Sequence, residues 1–345
     1  MPVGDPLSER ELRVLEAVIQ TYIQTAEPAG SQTISKRFGL GVSPATIRNT
    51  MSELEQKGYL FHPHTSAGRI PTDLAYRWYV DNLMRLAPPS HREQAMLQTE
   101  LPSPRSAVEE ILRRAAQVLG VLTQELGVAV APALDHLILE RLDLVQVASD
   151  RLLLVFNLRS GVVRTIFVQV SGNMAPDVVQ RVAQTLNERL GGLTLLEVRT
   201  TLAERLRDAE PLERGGELLN IFIAEGEDIF SLSGRPEDVL LGSAQMLADQ
   251  PEFSSNGRIR DLLQITERRD LLKQALEGRR RDGLSITIGG ENPDPRLTEF
   301  TLVTSSYRAG GVTGVIGVLG PTRMPYDKII GLVEHTSRLV EGLME

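Results

Sequence analysis

"SPATIRNTMSELEQKGYLFHPHTSAGRIPT", residues 43–72, begins as a helix and ends as something else. Ser43 can cap a helix and Pro44 can take its first position, where the missing N–H costs nothing. Ile47, Met51 and Leu54 then fall at i, i+4 and i+7 and face inward, which turns Ala45, Thr46, Arg48, Asn49 and Ser52 outward. Gly58 terminates the helix. Beyond it YLFHP (59–63) reads as a strand, HTSAG (64–68) as a tip and RIPT (69–72) as a returning strand.

Upstream, Ser8 and Glu11 form a capping box ahead of Leu12, Leu15, Ile19, Tyr22 and Ile23 at helical spacing. EPAG (27–30) interrupts the pattern, and Ser31 then caps a short helix that carries Ile34 and Phe38 and closes at Gly39. Three helices followed by a small hairpin describe a winged helix-turn-helix. An outward face of small, hydrogen-bonding residues suits a helix entering the DNA major groove, where Arg48 can pair with guanine and Asn49 with adenine. Ser43, Ala45, Thr46 and Ser52 complete that candidate DNA-binding face. Lys36 and Arg37, at the end of the second helix, suit either its C-terminal electrostatics or a phosphate contact. His64, Thr65, Ser66 and Arg69 form the candidate wing surface, with Arg69 placed for phosphate or an adjacent minor groove.

The net charge of −8 over 345 residues argues against a nucleic-acid partner only if charge is spread evenly, and it is not. Residues 1–86 hold nine Lys/Arg and nine Asp/Glu, so the acidic excess lies beyond them. Within residues 31–72, Lys36, Arg37, Arg48, Lys57 and Arg69 face only Glu53 and Glu55. A basic patch on an acidic chain fits a DNA-binding module joined to a body that does not bind DNA. The length points to two or three domains, and 41% hydrophobic with 24% charged residues is a globular composition. The chain has no cysteine, which removes disulfides, thiolate metal sites and cysteine nucleophiles. No apolar run approaches membrane-spanning length and the N-terminus has no signal-peptide pattern, so a cytoplasmic location is expected.

Further along, residues 72–86 read as another helix and the proline-bearing segment 87–105 as a linker. Residues 106–126 read as helix, and strands near 137–148, 151–158 and 162–170 form an antiparallel meander before a helix at 175–190. Later runs, GLSITIGG, LTEFTLVTSSY and VTGVIGVLGP, resume the strand pattern ahead of a terminal helix over 326–344. This predicts an α+β sheet domain in two parts, 106–209 and 258–345, split by an insertion at 210–257 whose own helix is PEDVLLGSAQMLAD.

Catalytic and metal chemistry find little support. His62 and His64 stand two apart, yet residues 56–72 offer no cysteine or acid as a third ligand, so no metal is expected. GGEN (289–292) and RAGGVTG (308–314) are glycine-rich without the strand-to-helix context of a phosphate loop and read as hairpin turns. Arg323, in GPTRMPY, reads as structural. No cofactor site and no catalytic set emerge, so no enzymatic activity is expected.

SPATIRNTM, HTSAGRIPT, LADQPEF, GGEN and GVIGVLGPTRMPYDKIIGLVE, in this order over most of the chain, resemble the HrcA family of heat-inducible transcription repressors of bacteria. The resemblance implies an α+β protein with an N-terminal winged helix-turn-helix (1–86), a GAF-like α/β sheet domain and an inserted α+β dimerisation domain. It further implies a homodimer on an inverted-repeat operator upstream of chaperone operons, with the chaperonin GroEL promoting the active form. The rival reading is a regulator in which the GAF-like sheet senses a small molecule.

Overall fold

Ser8 and Glu11 close the capping box expected of them: Ser8 Oγ accepts the Glu11 N–H, and the Glu11 carboxylate accepts the Ser8 N–H at 2.8 Å. They open α1 (Glu9–Thr25), which α2 (Ser31–Phe38) and α3 (Pro44–Gln56) follow. The computed structural model describes residues 7–63, 68–101, 108–132, 134–135, 137–159, 163–172, 174–207, 216–230, 239–281, 283–309 and 312–344. Ser31 turns out to be the first helical residue of α2 and Gly30 its cap.

Helix α3 ends as its sequence requires. Gly58 adopts φ +80°, its N–H bonds to Glu55 O and the Tyr59 N–H reaches back to Leu54 O. That paired closure satisfies the last carbonyls and needs a residue without a Cβ penalty. The chain then pairs β1 (Leu60–Phe61) with β2 (Ile70–Pro71), Leu60 opposite Pro71. Ala29, in the turn between α1 and α2, exchanges two backbone hydrogen bonds with Arg69 and adds a third rung. Ile34, Ile47, Met51, Leu54 and Leu60 fill the core beneath.

Thr72 caps α4 (Asp73–Trp78), which continues as a π turn over Tyr79–Leu83. The expected linker 87–105 is not plain coil. Ser90 and Glu93 form a second capping box for α5 (His91–Glu100), which packs on α6 (Val108–Thr123) through buried Leu97. Helix α6 leads into β3 (Leu126–Val130), and a side chain at Gly127 would overlap the Ala116 carbonyl of α6.

By contacts the backbone divides into two compact units, residues 131–239 with 308–314 and 344–345 in one, the remainder in the other. The former holds the meander of β4 (Leu139–Ala148), β5 (Arg151–Leu158) and β6 (Val163–Gln169), followed by α7 (Pro176–Leu190), α8 (Leu195–Arg207) and α9 (Gly216–Ile229). Strict alternation in β5 buries Leu152, Leu154, Phe156 and Leu158 in one cluster with Val182, Leu186, Leu202 and Phe222 of the helices. The sheet's other face leaves Val145, Val163 and Phe167 exposed. Among the described residues the meander's strands pair with one another, and they lie before the expected insertion at 210–257, within the unit that takes in residues 131–239.

The other unit carries a five-stranded sheet in the order β7-β3-β10-β9-β8, where β7 is Val239–Leu241, β8 Leu284–Ile288, β9 Phe300–Ala309 and β10 Val312–Pro321. Strands β3 and β10 are antiparallel, as are β8 and β9. PEDVLLGSAQMLAD is not one helix: its described part forms β7, at the sheet edge, and the short α10 (Gln245–Ala248). Helices α11 (Asn256–Glu267) and α12 (Arg269–Glu277) precede β8, and α13 (Tyr326–Met344) ends the unit with Ile329, Ile330, Leu332 and Val333 buried.

Candidate nucleic-acid interface

The candidate face starts from the cap. Ser43 Oγ accepts the Thr46 N–H at 3.1 Å and fixes the first turn of α3. Ile47, Met51 and Leu54 point into the core as expected, and Thr50 joins them with its hydroxyl bonded to Thr46 O. Ala45, Arg48 and Asn49 are exposed, and Thr46 and Ser52 half-exposed. Among the described residues the Arg48 and Asn49 side chains have no protein partner, whereas Ser52 bonds back to Arg48 O. Lys36 and Arg37 are exposed in the last turn of α2, with the Arg37 guanidinium lying over Phe38.

The acids of α3 are engaged elsewhere. Glu53 lies 3.8 Å from Arg10, and Glu55 holds both His62 and Arg69. With both carboxylates paired, the open charges of the patch are all positive, from Lys36, Arg37 and Arg48. At the rear, Glu11 meets Lys57 at 2.7 Å. Burial raises the Glu11 carboxyl, but Lys57 and the capping bonds outweigh it and leave the carboxyl below its ordinary range.

Arg69 departs from its expected setting. Its guanidinium is turned from solvent onto Glu55 at 2.8 Å, with Nε buried and unpartnered. The backbone bridge to Ala29 fixes β2 so that the side chain lies along α3. His64, Thr65 and Ser66 lie outside the described residues. His62 pairs with Glu55, and no group of three metal-ligating side chains occurs among the described residues.

GGEN and GPTRMPY do more than turn the chain. Gly289–Glu291 forms a 3-10 turn, where Glu291 receives Arg77 of α4 and the Gly290 N–H bonds to Asp73. Arg323 binds Glu252 through two nitrogens and donates its third to Ile23 O of α1. Sequence reading did not single out Arg77, Asp73, Glu252 or Glu291, whose partners are far apart in the chain. The one local signal was the pair of polar residues closing GGEN.

A capped helix presenting uncommitted Arg and Asn side chains beside a hairpin is the equipment of a DNA-binding transcription regulator. Comparison with known proteins agrees: the family model "HrcA protein C terminal domain" matches residues 109–330. Heat-inducible transcription repressor HrcA of Chlorobium phaeobacteroides (strain BS1) is 38% identical over 341 residues, covering 95% of this chain and 96% of its own. That of Prosthecochloris aestuarii is 37% identical over 343 residues, covering 95% of each. The chain belongs to the HrcA family of heat-inducible transcription repressors. A crystal structure described as a hypothetical protein shares the fold, with TM-score 0.68 and 22% identity over 98% of this chain and 99% of that one.

Proposed function

We propose that the chain is a homodimeric repressor that binds an inverted-repeat operator upstream of chaperone operons, with α3 as the recognition helix of a winged helix-turn-helix. The observation that carries this reading is the pair of exposed, unpartnered side chains Arg48 and Asn49 on the outward face of a capped helix. Ser43, Thr46, Lys36 and Arg37 supply phosphate contacts around them, with His64, Thr65 and Ser66 on the wing. Arg69 holds the wing to α3 through Glu55.

A dimer is required because one helix in one groove reads only a few base pairs, whereas two spaced by a turn of the duplex, about 34 Å, read a palindrome. The open face of the meander supports a second copy as the occupant. Val145, Leu153 and Phe167 are cross-strand neighbours there, and a two-fold interface is built from one such patch meeting itself. In this reading residues 131–239 are the inserted dimerisation domain, the five-stranded sheet is GAF-like and the protein works in the cytoplasm with GroEL promoting its operator-binding form.

The test is a salt-controlled titration of operator DNA. Arg48→Ala and Asn49→Ala are each expected to weaken binding by about 1 to 3 kcal/mol while leaving the melting temperature unchanged. Unaltered affinity in both variants removes the recognition-face assignment. Adding GroEL is expected to raise the fraction competent to bind; no response removes the chaperonin from the reading.

A further inference from the structure

The three-helix and hairpin segment is not tethered loosely to the sheet that follows it. Tyr76 of α4, fully buried, lies 5.7 Å from the ring of Tyr326 at the start of α13. An arginine clamp sits on each side of this aromatic contact.

On one side, Arg77 grips Glu291 in a fork, Nε to Oε1 at 2.8 Å and Nη2 to Oε2 at 2.5 Å. Nη2 also donates to Ile286 O at 2.7 Å, and Nη1 to Asp81 at 3.2 Å. Planar two-point pairing of this kind fixes orientation as well as distance. One turn earlier, Asp73 accepts the Gly290 N–H at 2.9 Å. Gly289 beside it has φ +53°, and a Cβ there would overlap the Asp73 carboxylate. On the other side, Arg323 is held by Glu252 and donates to Ile23 O, in the last turn of α1, at 2.7 Å. A third contact, Ala87 N–H to Asp327 O at 3.4 Å, lies where the segment leaves for α5.

We propose that Arg77 and Arg323 are positioning residues that clamp the helix–hairpin segment in one orientation on the sheet, and so set the operator spacing that the dimer accepts. The proposal rests on the dimeric, inverted-repeat reading above. Neither arginine touches DNA; both act by denying α3 the freedom to swivel. Adding one base pair between half-sites moves the second by about 3.4 Å along the duplex and turns it by about 34°. A clamped α3 cannot swivel on its own sheet to follow that step. An unclamped one can, at the cost of ordering itself on each binding event.

The experiment uses the full-length chain. Operator DNA is selected from a random pool by the wild type, then remade with spacers shortened or lengthened by one and two base pairs. In Arg77→Gln, Glu291→Gln and Arg323→Gln the preference for the selected spacing is expected to fall by about five-fold or more. Affinity for an isolated half-site is expected to stay within about two-fold of wild type. The swap Arg77→Glu with Glu291→Arg is expected to recover part of the preference, which loss of folding could not produce. An unchanged spacing profile, an equal loss on half-site and full operator, or tighter binding at every spacing each overturns the proposal.

Should the variants fail to fold, the absence of native cysteine allows spin labels at Gln56→Cys on α3 and Arg338→Cys on α13 of an otherwise wild-type chain, diluted with unlabelled protein. A single narrow distance supports the clamp and a broad distribution overturns it. Because that distance lies within one protomer, it separates failure of the clamp from failure of the dimeric reading, which shows instead as selection of single half-sites by the wild type.

Discussion

Arg69 Nη2 stands 2.8 Å from Glu55 Oε2, so the returning strand of the hairpin is tied by charge to the helix it flanks. The pair is mostly shielded, with 19% and 25% of the two side chains exposed, and Glu55 stands two turns beyond Arg48 on the same stripe of α3. Arg69→Ala is therefore expected to destabilise the protein by about 1 to 2 kcal/mol in thermal or urea unfolding. The slope of log affinity against log salt is expected to stay as in wild type. A slope reduced by about one would instead mean that Arg69 leaves Glu55 for a phosphate in the complex.

Ser43 caps α3 through the Thr46 N–H and also meets the Thr46 hydroxyl at 3.0 Å. Ser43→Ala is expected to cost about 1 kcal/mol of stability and to fray the turn just before Arg48. Ser43→Asp keeps an acceptor at the cap and is expected to restore the melting temperature. Because its carboxylate would face the phosphates, DNA affinity should not recover with it. Recovery of both would show that Ser43 acts only as a cap.

Gly289 occupies the left-handed region at φ +53°, with the Asp73 carboxylate where a side chain would begin. Gly289→Ala meets strain and overlap together and is expected to destabilise by about 1 to 3 kcal/mol. Gly290→Ala, at φ in the ordinary range and with Asp73 Oδ2 at 3.8 Å from the added carbon, is expected to be far milder. Equal effects at the two positions would remove the close approach as the cause.

What could be read in the sequence was what local chemistry decides. Ser43, Pro44 and Gly58 bounded α3 to within a residue, the apolar run RLLLVFNL between turn residues gave β5, and α13 followed from the residues after GPTRMP. Helix α5 escaped because only Leu97 of it is buried, which leaves no apolar stripe; its capping box at Ser90 and Glu93 was the available signal. VLL at 239–241 is apolar whether it is strand or helix, and only pairing with β3 makes it an edge strand. Arg77 and Glu291 are 214 residues apart, and no periodicity announces such a pair. The same holds for Arg69, whose partner depends on how the hairpin folds back.

Glu125 is buried beside β3, accepting from the Gln250 amide at 2.9 Å, with Arg323 and Glu252 as its charged neighbours. Burial pushes its carboxyl well above the ordinary value of 4.5. The native state thus keeps a proton that the unfolded chain releases, and stability falls as pH rises from the unfolded value toward the folded one. Glu125→Gln has nothing to titrate and can still accept from Gln250. It is expected to match wild type near pH 4 and to exceed it by about 1 kcal/mol or more near pH 8. Parallel stability–pH curves for the two proteins would show that Glu125 is ionised in the fold.

Phe167 is 62% exposed on the open face of the meander, opposite Leu153, which in turn pairs across to Val145. The buried face of the same sheet already has its helices, so the outer row adds only its cross-strand contacts and the Arg151 guanidinium stacked on Phe167. Phe167→Asp should therefore cost an isolated protomer only about 1 kcal/mol while placing two carboxylates against each other wherever this face meets its copy. Sedimentation is expected to show monomers for the variant and dimers for wild type. Operator affinity is expected to drop to that of a single half-site, because the second recognition helix no longer arrives with the first. A variant that stays dimeric would place the interface elsewhere, and one that is monomeric yet binds the full operator as wild type does would remove the need for a dimer.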